Sequence, residues 1–132
     1  MRVAIIERRT IHKENENAAK RLHILAELLA LKGHAVSFYC LKWWEGKDRE
    51  TIVKGIRYYA VSEDPEDIEW RFAGQLPSKI RDYNPDIIIS EGSERAVVIG
   101  AKLTSLLLRK PLVLDFHKEI DTGEKDKRKS KF

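Results

Sequence analysis

Polar and apolar positions along this chain follow two rhythms. Continuous apolar runs occur at RVAIIE (2–7), AVSFYC (35–40), DIIIS (86–90) and LVLDF (112–116). Short unbroken runs of this kind suit strands buried on both faces of a parallel sheet. TIVKGIRYYAV (51–61) instead predicts a hairpin or a bent strand around Gly55. Between the runs the spacing turns helical. NENAAKRLHILAELLALKGH predicts a long helix, with Asn15 or Asn17 capping its start and Gly33 in the left-handed position at its end. Its apolar face is Ala18, Leu22, Leu25 and Leu29, widened by Ile24, Leu28 and Leu31. Glu16, Lys20, His23 and Glu27 form the opposite, solvent-facing stripe. DIEWRFAGQLPSKIRDY predicts two helical pieces, with Pro77 opening the second. Ser93 is predicted to cap ERAVVIGAKLTSLLLRK, a mostly apolar helix lying against the sheet, with Gly100 allowing close approach.

The order β-α-β-(β)-α-β-α-β predicts an α/β fold: a three-layer, Rossmann-like, doubly wound sheet, mostly parallel. One domain is expected over residues 1–120, followed by a basic, disordered tail over 121–132. In such sheets ligands bind outside the carboxyl ends of the strands, here those ending near residues 7, 90 and 116.

Charge changes the picture less than the pI of 9.2 suggests. The last eight residues, KDKRKSKF, hold five basic residues and one acid, which accounts for the whole net charge of +4. The body is neutral, whereas a nucleic-acid-binding fold carries its basic patch on itself. Nucleic acid is therefore not the expected partner, and the tail leaves room for peripheral contact with anionic lipid. A single cysteine, Cys40, excludes an internal disulfide and fits a reducing compartment. The sequence shows no leader and no apolar run long enough to span a bilayer, so a cytoplasmic protein is expected.

The chemistry is partly defined by what is missing. The first loop, ERRTIHKENENAA, has no glycine, and the chain has no G-x-G-x-x-G, no G-K-[ST], no G-x-S-x-G and no zinc-spaced Cys/His set. No cofactor is expected. Arg8, Arg9, His12 and Lys13 make that loop cationic, either as a phosphate-holding site before a helix N-terminus or as a solvated charged loop. Asp115 and His117 are two apart at a strand end and so point the same way, an arrangement in which the acid orients the imidazole. The alternative is a strand-end acid bonding loop amides beside an exposed histidine. Trp43 and Trp44 follow the second strand and either stack on a sugar, cover a core edge or meet a partner.

Several stretches together resemble the N-terminal, acceptor-side domain of family 4 (group 1) GT-B glycosyltransferases. RVAIIE with RLHILAELLALKGHAVSFYC resembles the opening strand, helix and second strand of that family. VKGIRYYAV resembles its short hairpin, PSKIRDYNPDIIISEG the helix leading through Pro-Asp into a strand, and AKLTSLLLRKPLVLDFH the following helix, strand and histidine. The resemblance covers about residues 1–117. It implies two Rossmann-like domains facing a cleft, the second binding the nucleotide-sugar, with sugar transfer by retention and no metal in this half. It places His117 near the transferred sugar, with Asp115 as its companion, and Glu91 and Gly92 in an acceptor-side loop. It sets Arg8, Arg9, His12 and Lys13 in the first loop, where side chains rather than glycine amides would hold an acceptor phosphate.

Two functions are then expected. One is the acceptor-side half of a nucleotide-sugar-dependent glycosyltransferase, inactive alone because the donor-binding domain is absent, whose acceptor is a sugar or a lipid phosphate. Its partner would be a separate donor-binding domain protein. The other is a non-catalytic binding or interaction module derived from such a domain, with self-association or a protein partner covering Trp43 and Trp44.

Overall fold

The computed structural model describes residues 1–9, 17–62 and 68–116, with no side-chain description for 17–20. Nine elements follow in order: β1 (Arg2–Ile6), α1 (Asn17–Leu31), β2 (Ala35–Leu41), β3 (Glu50–Val53), β4 (Ile56–Ser62), α2 (Glu69–Arg81), β5 (Ile87–Glu91), α3 (Arg95–Leu108) and β6 (Leu112–Asp115). The strands form one sheet in the order β3-β4-β2-β1-β5-β6. All neighbouring pairs are parallel except β3 with β4. The α/β, mostly parallel, Rossmann-like architecture is thus the one the apolar rhythm predicts. The expected tail lies outside the described residues.

The hairpin reading of 51–61 holds, with an added reason. Lys54 and Gly55 both take positive φ, 55° and 81°. Two left-handed residues between antiparallel strands are the geometry whose twist matches the strands they join.

Alternate strand residues feed two cores. On one face Ala4, Ile6, Tyr39, Leu41, Val61 and Ile88 meet Phe72, Leu76 and Ile80 of α2 and Val97 and Ala101 of α3. On the other, Val3, Ile5, Val36, Phe38, Ile56 and Tyr58 meet Leu22 and Ala26 of α1. Among the described residues one helix covers this second face and two cover the first. The buried stripe of α1 is accordingly narrower than its composition suggested: Ile24, Leu28 and Leu31, expected to widen it, are exposed.

Three local expectations are corrected. The segment 69–81 is one continuous helix with Pro77 inside it, not two pieces. Pro77 has no N–H for the carbonyl of Ala73, four residues back. That carbonyl instead lies against Gly100 of α3, where an added Cβ would sit 2.8 Å from it and 2.9 Å from the Ala73 Cβ. Packing against α3 therefore holds together a helix that local sequence would break. Next, Ser93 is not the cap of α3; the N-cap is Glu94 and makes no side-chain cap bond. Lastly, His23 is no plain surface residue. Its Nδ1 lies 2.5 Å from the Tyr58 hydroxyl and its Nε2 2.7 Å from Glu27, so the polar stripe of α1 reaches down to the core edge.

A first prediction follows from the α2–α3 contact. Gly100→Ala gains up to about 1 kcal/mol of helix propensity. It also forces a methyl into the Ala73 backbone, at a typical overpacking cost of about 1–3 kcal/mol. A net loss of about 1–2 kcal/mol in urea unfolding is expected; an unchanged or raised midpoint would show that α2 and α3 separate freely.

Candidate functional site

The carboxyl ends of β1, β5 and β6 lie side by side, because β1 pairs with β5 and β5 with β6. They bring Glu7, Glu91 and Asp115 to one edge of the sheet. The direction of the chain's crossings changes between β1 and β5, since β2 lies on one side of β1 and β5 on the other. Open parallel sheets bind their ligands at such a switch point.

Each acid at this edge is handled differently. Glu91 is buried, and its carboxylate accepts from the backbone N–H of Ser93 at 2.8 Å and of Glu94 at 3.3 Å. It therefore satisfies two amides in the turn that leads into α3, beside a helix N-terminus where the dipole also favours negative charge. Asp115 accepts from Arg21 of α1 through both guanidinium nitrogens that face it, at 2.5 and 3.3 Å. Glu94 forms a two-point pair with Arg8, at 3.0 and 2.8 Å, with both side chains more than four-fifths buried. Such planar fork pairs fix orientation as well as charge.

Glu7 is different. It is 2% exposed, and neither carboxyl oxygen has a hydrogen-bond partner among the described residues. Burial, and then the negative charges of Glu91, Glu94 and Asp115, push its pKa up to about 8, while Arg9 pulls the other way. The carboxyl is held neutral at pH 7. Cys40 on β2 is also buried, and burial with the nearby Glu7 pushes its thiol far above the usual range, so it is not a reactive thiol.

Gly92 marks where the chain leaves β5. Its N–H donates to the Asp115 carbonyl at 3.0 Å. A Cβ there would meet the Phe116 ring at 3.0 and 3.1 Å and the Asp115 carbonyl at 3.2 Å, so a glycine lets β5 and β6 close up at this end.

Among the residues singled out from sequence, Arg8, Glu91, Gly92 and Asp115 gather at this edge, and Arg9 lies close enough to act on Glu7. His12, Lys13 and His117 lie outside the described residues. Within the described set, Arg8 and Glu91 are engaged with protein partners, so each has a structural role at the crevice. Glu7 was missed, though a signal existed: it ends the apolar run RVAIIE as Asp115 nearly ends LVLDF. The tryptophans are half-buried and not exposed as the interaction reading assumed. Trp43 meets Trp44 and Tyr58 edge-on, with ring centroids 5.4 and 5.3 Å apart, so the pair closes the edge of the core on the α1 face.

Exposed apolar residues lie elsewhere. Leu103, Leu106 and Leu107 on α3, Val113 on β6 and Phe116 after it are about half exposed or more. On the opposite face Arg21, Leu22, Ile24, Leu25, Leu28 and Asp115 line an open groove of about 300 Å³. Among the described residues no helix is long and apolar enough to cross a membrane.

A six-stranded, mostly parallel sheet with a topological switch point between β1 and β5 defines an α/β, Rossmann-like domain. The family model for Glycosyltransferase Family 4 matches residues 18–132, and the chain belongs to that family. Its fold is similar to that of sucrose-phosphate synthase from Thermosynechococcus elongatus, with a TM-score of 0.64 at 12% identity over 89% of this chain. A second structure of that enzyme gives a TM-score of 0.62, also at 12% identity. The chain spans 33% of the first of these proteins and 64% of the second. No curated protein matches significantly.

Proposed function

We propose that this domain is the acceptor-side half of a nucleotide-sugar-dependent GT-B glycosyltransferase and transfers no sugar alone. The observation that carries this reading is the family match over 18–132 together with the acidic, arginine-pinned crevice at the switch point. One further fact supports it. The first loop lacks the glycines that let backbone amides cradle a donor diphosphate.

In the assembled enzyme the acceptor hydroxyl forms a bond to the anomeric carbon of the donor sugar and gives up its proton. The bond from that carbon to the nucleotide diphosphate breaks. The domain's part is to hold the acceptor. His117, next to Asp115, contacts the sugar, while Arg9 and Lys13 hold any acceptor phosphate. Arg8 keeps the α3 N-terminus in place through Glu94. A separate donor-binding domain supplies the nucleotide site, and the basic tail brings the assembly to anionic lipid when the acceptor is a lipid phosphate.

The purified chain should show no turnover with UDP-, GDP- or ADP-sugars across a panel of sugar and lipid-phosphate acceptors. Turnover without any partner overturns the proposal. A second reading, a non-catalytic interaction module, is favoured by one observation: the exposed leucines of α3 beside the β6 edge. It predicts that Leu106→Glu abolishes a partner contact without any change in sugar binding.

A further inference from the structure

Glu7 is a buried polar group outside the ion pairs and amide contacts of its neighbours. It follows β1 at the centre of the sheet, and its N–H donates to the Tyr39 carbonyl at 3.0 Å. The backbone is therefore fixed, and the carboxyl is anchored at the strand end. Both carboxyl oxygens lie buried with no hydrogen-bond partner among the described residues. Buried polar groups are paired in the great majority of cases, and an exception calls for an explanation. The neighbouring acids are no help, because each is already engaged: Glu91 with the amides of Ser93 and Glu94, Glu94 with Arg8, and Asp115 with Arg21. Among the described acids at this edge, Glu7 is the one whose carboxyl oxygens have no hydrogen-bond partner.

We propose that Glu7 is a ligand-binding residue of the crevice, its carboxyl exchanging hydrogen bonds with a hydroxyl group of a carbohydrate acceptor. This inference rests on the glycosyltransferase reading above and names the chemistry of the same site. The carboxyl is neutral at pH 7, so it offers one O–H donor and one carbonyl acceptor. A hydroxyl is the complementary group, since it accepts from the first and donates to the second. A phosphate at this position brings more negative charge towards Glu91, Glu94 and Asp115. An ammonium requires the ionised carboxylate. Among the described residues no group of three or more histidines, cysteines or acids is arranged to hold a metal ion.

The test uses the 132-residue chain. The Glu7 side-chain carboxyl carbon, assigned by its loss in Glu7→Gln, is followed by ¹³C NMR at pH 6.5 during titration with glucose, mannose, glucosamine and glucose 6-phosphate. A neutral sugar is expected to move this resonance saturably, with no proton released to buffer. Glu7→Gln, whose amide supplies the same donor and acceptor, should keep affinity within about 3-fold. Glu7→Met should lose about 10-fold, the scale of one or two neutral hydrogen bonds. If Glu7→Met does not fold, the carbon titration and Glu7→Gln still decide the matter. A neutral sugar that shifts the amides of Gly92 and Glu94 but leaves the Glu7 carbon unmoved overturns this inference and spares the function. Glucosamine binding more tightly than glucose, with proton release, overturns the hydroxyl assignment. No response to any of the sugars overturns both the inference and the acceptor-site reading.

Discussion

Between pH 5 and pH 8 the protein is expected to lose roughly 3 kcal/mol of folding stability that its Glu7→Gln variant keeps. The folded-state pKa of Glu7 is raised from 4.5 to about 8. Below 4.5 the carboxyl is protonated in both the folded and the unfolded chain, and the group has no effect. From there to pH 8 the folded state holds a proton that the unfolded state has released. Stability therefore falls as pH rises, by about 1.4 kcal/mol per unit at most. Above pH 8 the buried carboxylate forms and its full cost is present. Glu7→Gln removes the titration and keeps size and polarity. Urea midpoints of the two proteins should nearly coincide at pH 5 and diverge by pH 9, with the variant the more stable. Parallel pH profiles would show that Glu7 is ionised in the folded protein, and the reading of a neutral carboxyl at the crevice would fail.

His117→Ala should lower the activity of the assembled enzyme by about 10²-fold while leaving the fold intact. The residue follows Asp115 by two positions in the sequence, and the family resemblance sets it near the transferred sugar. Asp115 is itself pinned to α1 by Arg21. A strand-end histidine carries little core packing, so the unfolding midpoint should move by no more than about 0.5 kcal/mol. The expected signature is a fall in kcat and kcat/KM together, as for a contact made chiefly in the transition state. Near-normal activity, with donor domain and nucleotide-sugar present, removes His117 from the site.

Local rhythm made most of the fold legible. Unbroken apolar runs located β1, β2, β5 and β6, and Gly55 located the hairpin, because these features depend on neighbours within a few residues. Errors arose where a distant segment decided the outcome. Pro77 reads as a helix break, yet α2 continues, with the carbonyl it leaves unbonded packed on Gly100 of another helix. Ser93 reads as a cap, yet the helix begins one residue later, and Glu91, delivered by the end of β5, holds the Ser93 and Glu94 amides in the turn before it. Ile24, Leu28 and Leu31 read as core on helical spacing, but among the described residues α1 is the one helix on that face, and those positions turn away from the sheet it packs on. Within the site, sequence brought out the residue types but not their pairings. Arg8 with Glu94 and Arg21 with Asp115 join residues 86 and 94 positions apart. Neither pairing has a local signal. Glu7 did have one, an acid closing a buried strand, but only the sheet order shows that it lies at the switch point.

The most direct test of the acceptor-side account is an amide chemical-shift map of the chain at pH 6.5 with monosaccharides, monosaccharide phosphates and UDP-glucose in turn. The account predicts saturable shifts with at least one of the sugars or sugar phosphates, concentrated at Glu7, Arg8, Gly92, Ser93 and Asp115, and no saturable response to UDP-glucose. Saturable UDP-glucose binding at those same strand ends, with no response to any sugar or sugar phosphate, would place the donor in this crevice and contradict the account.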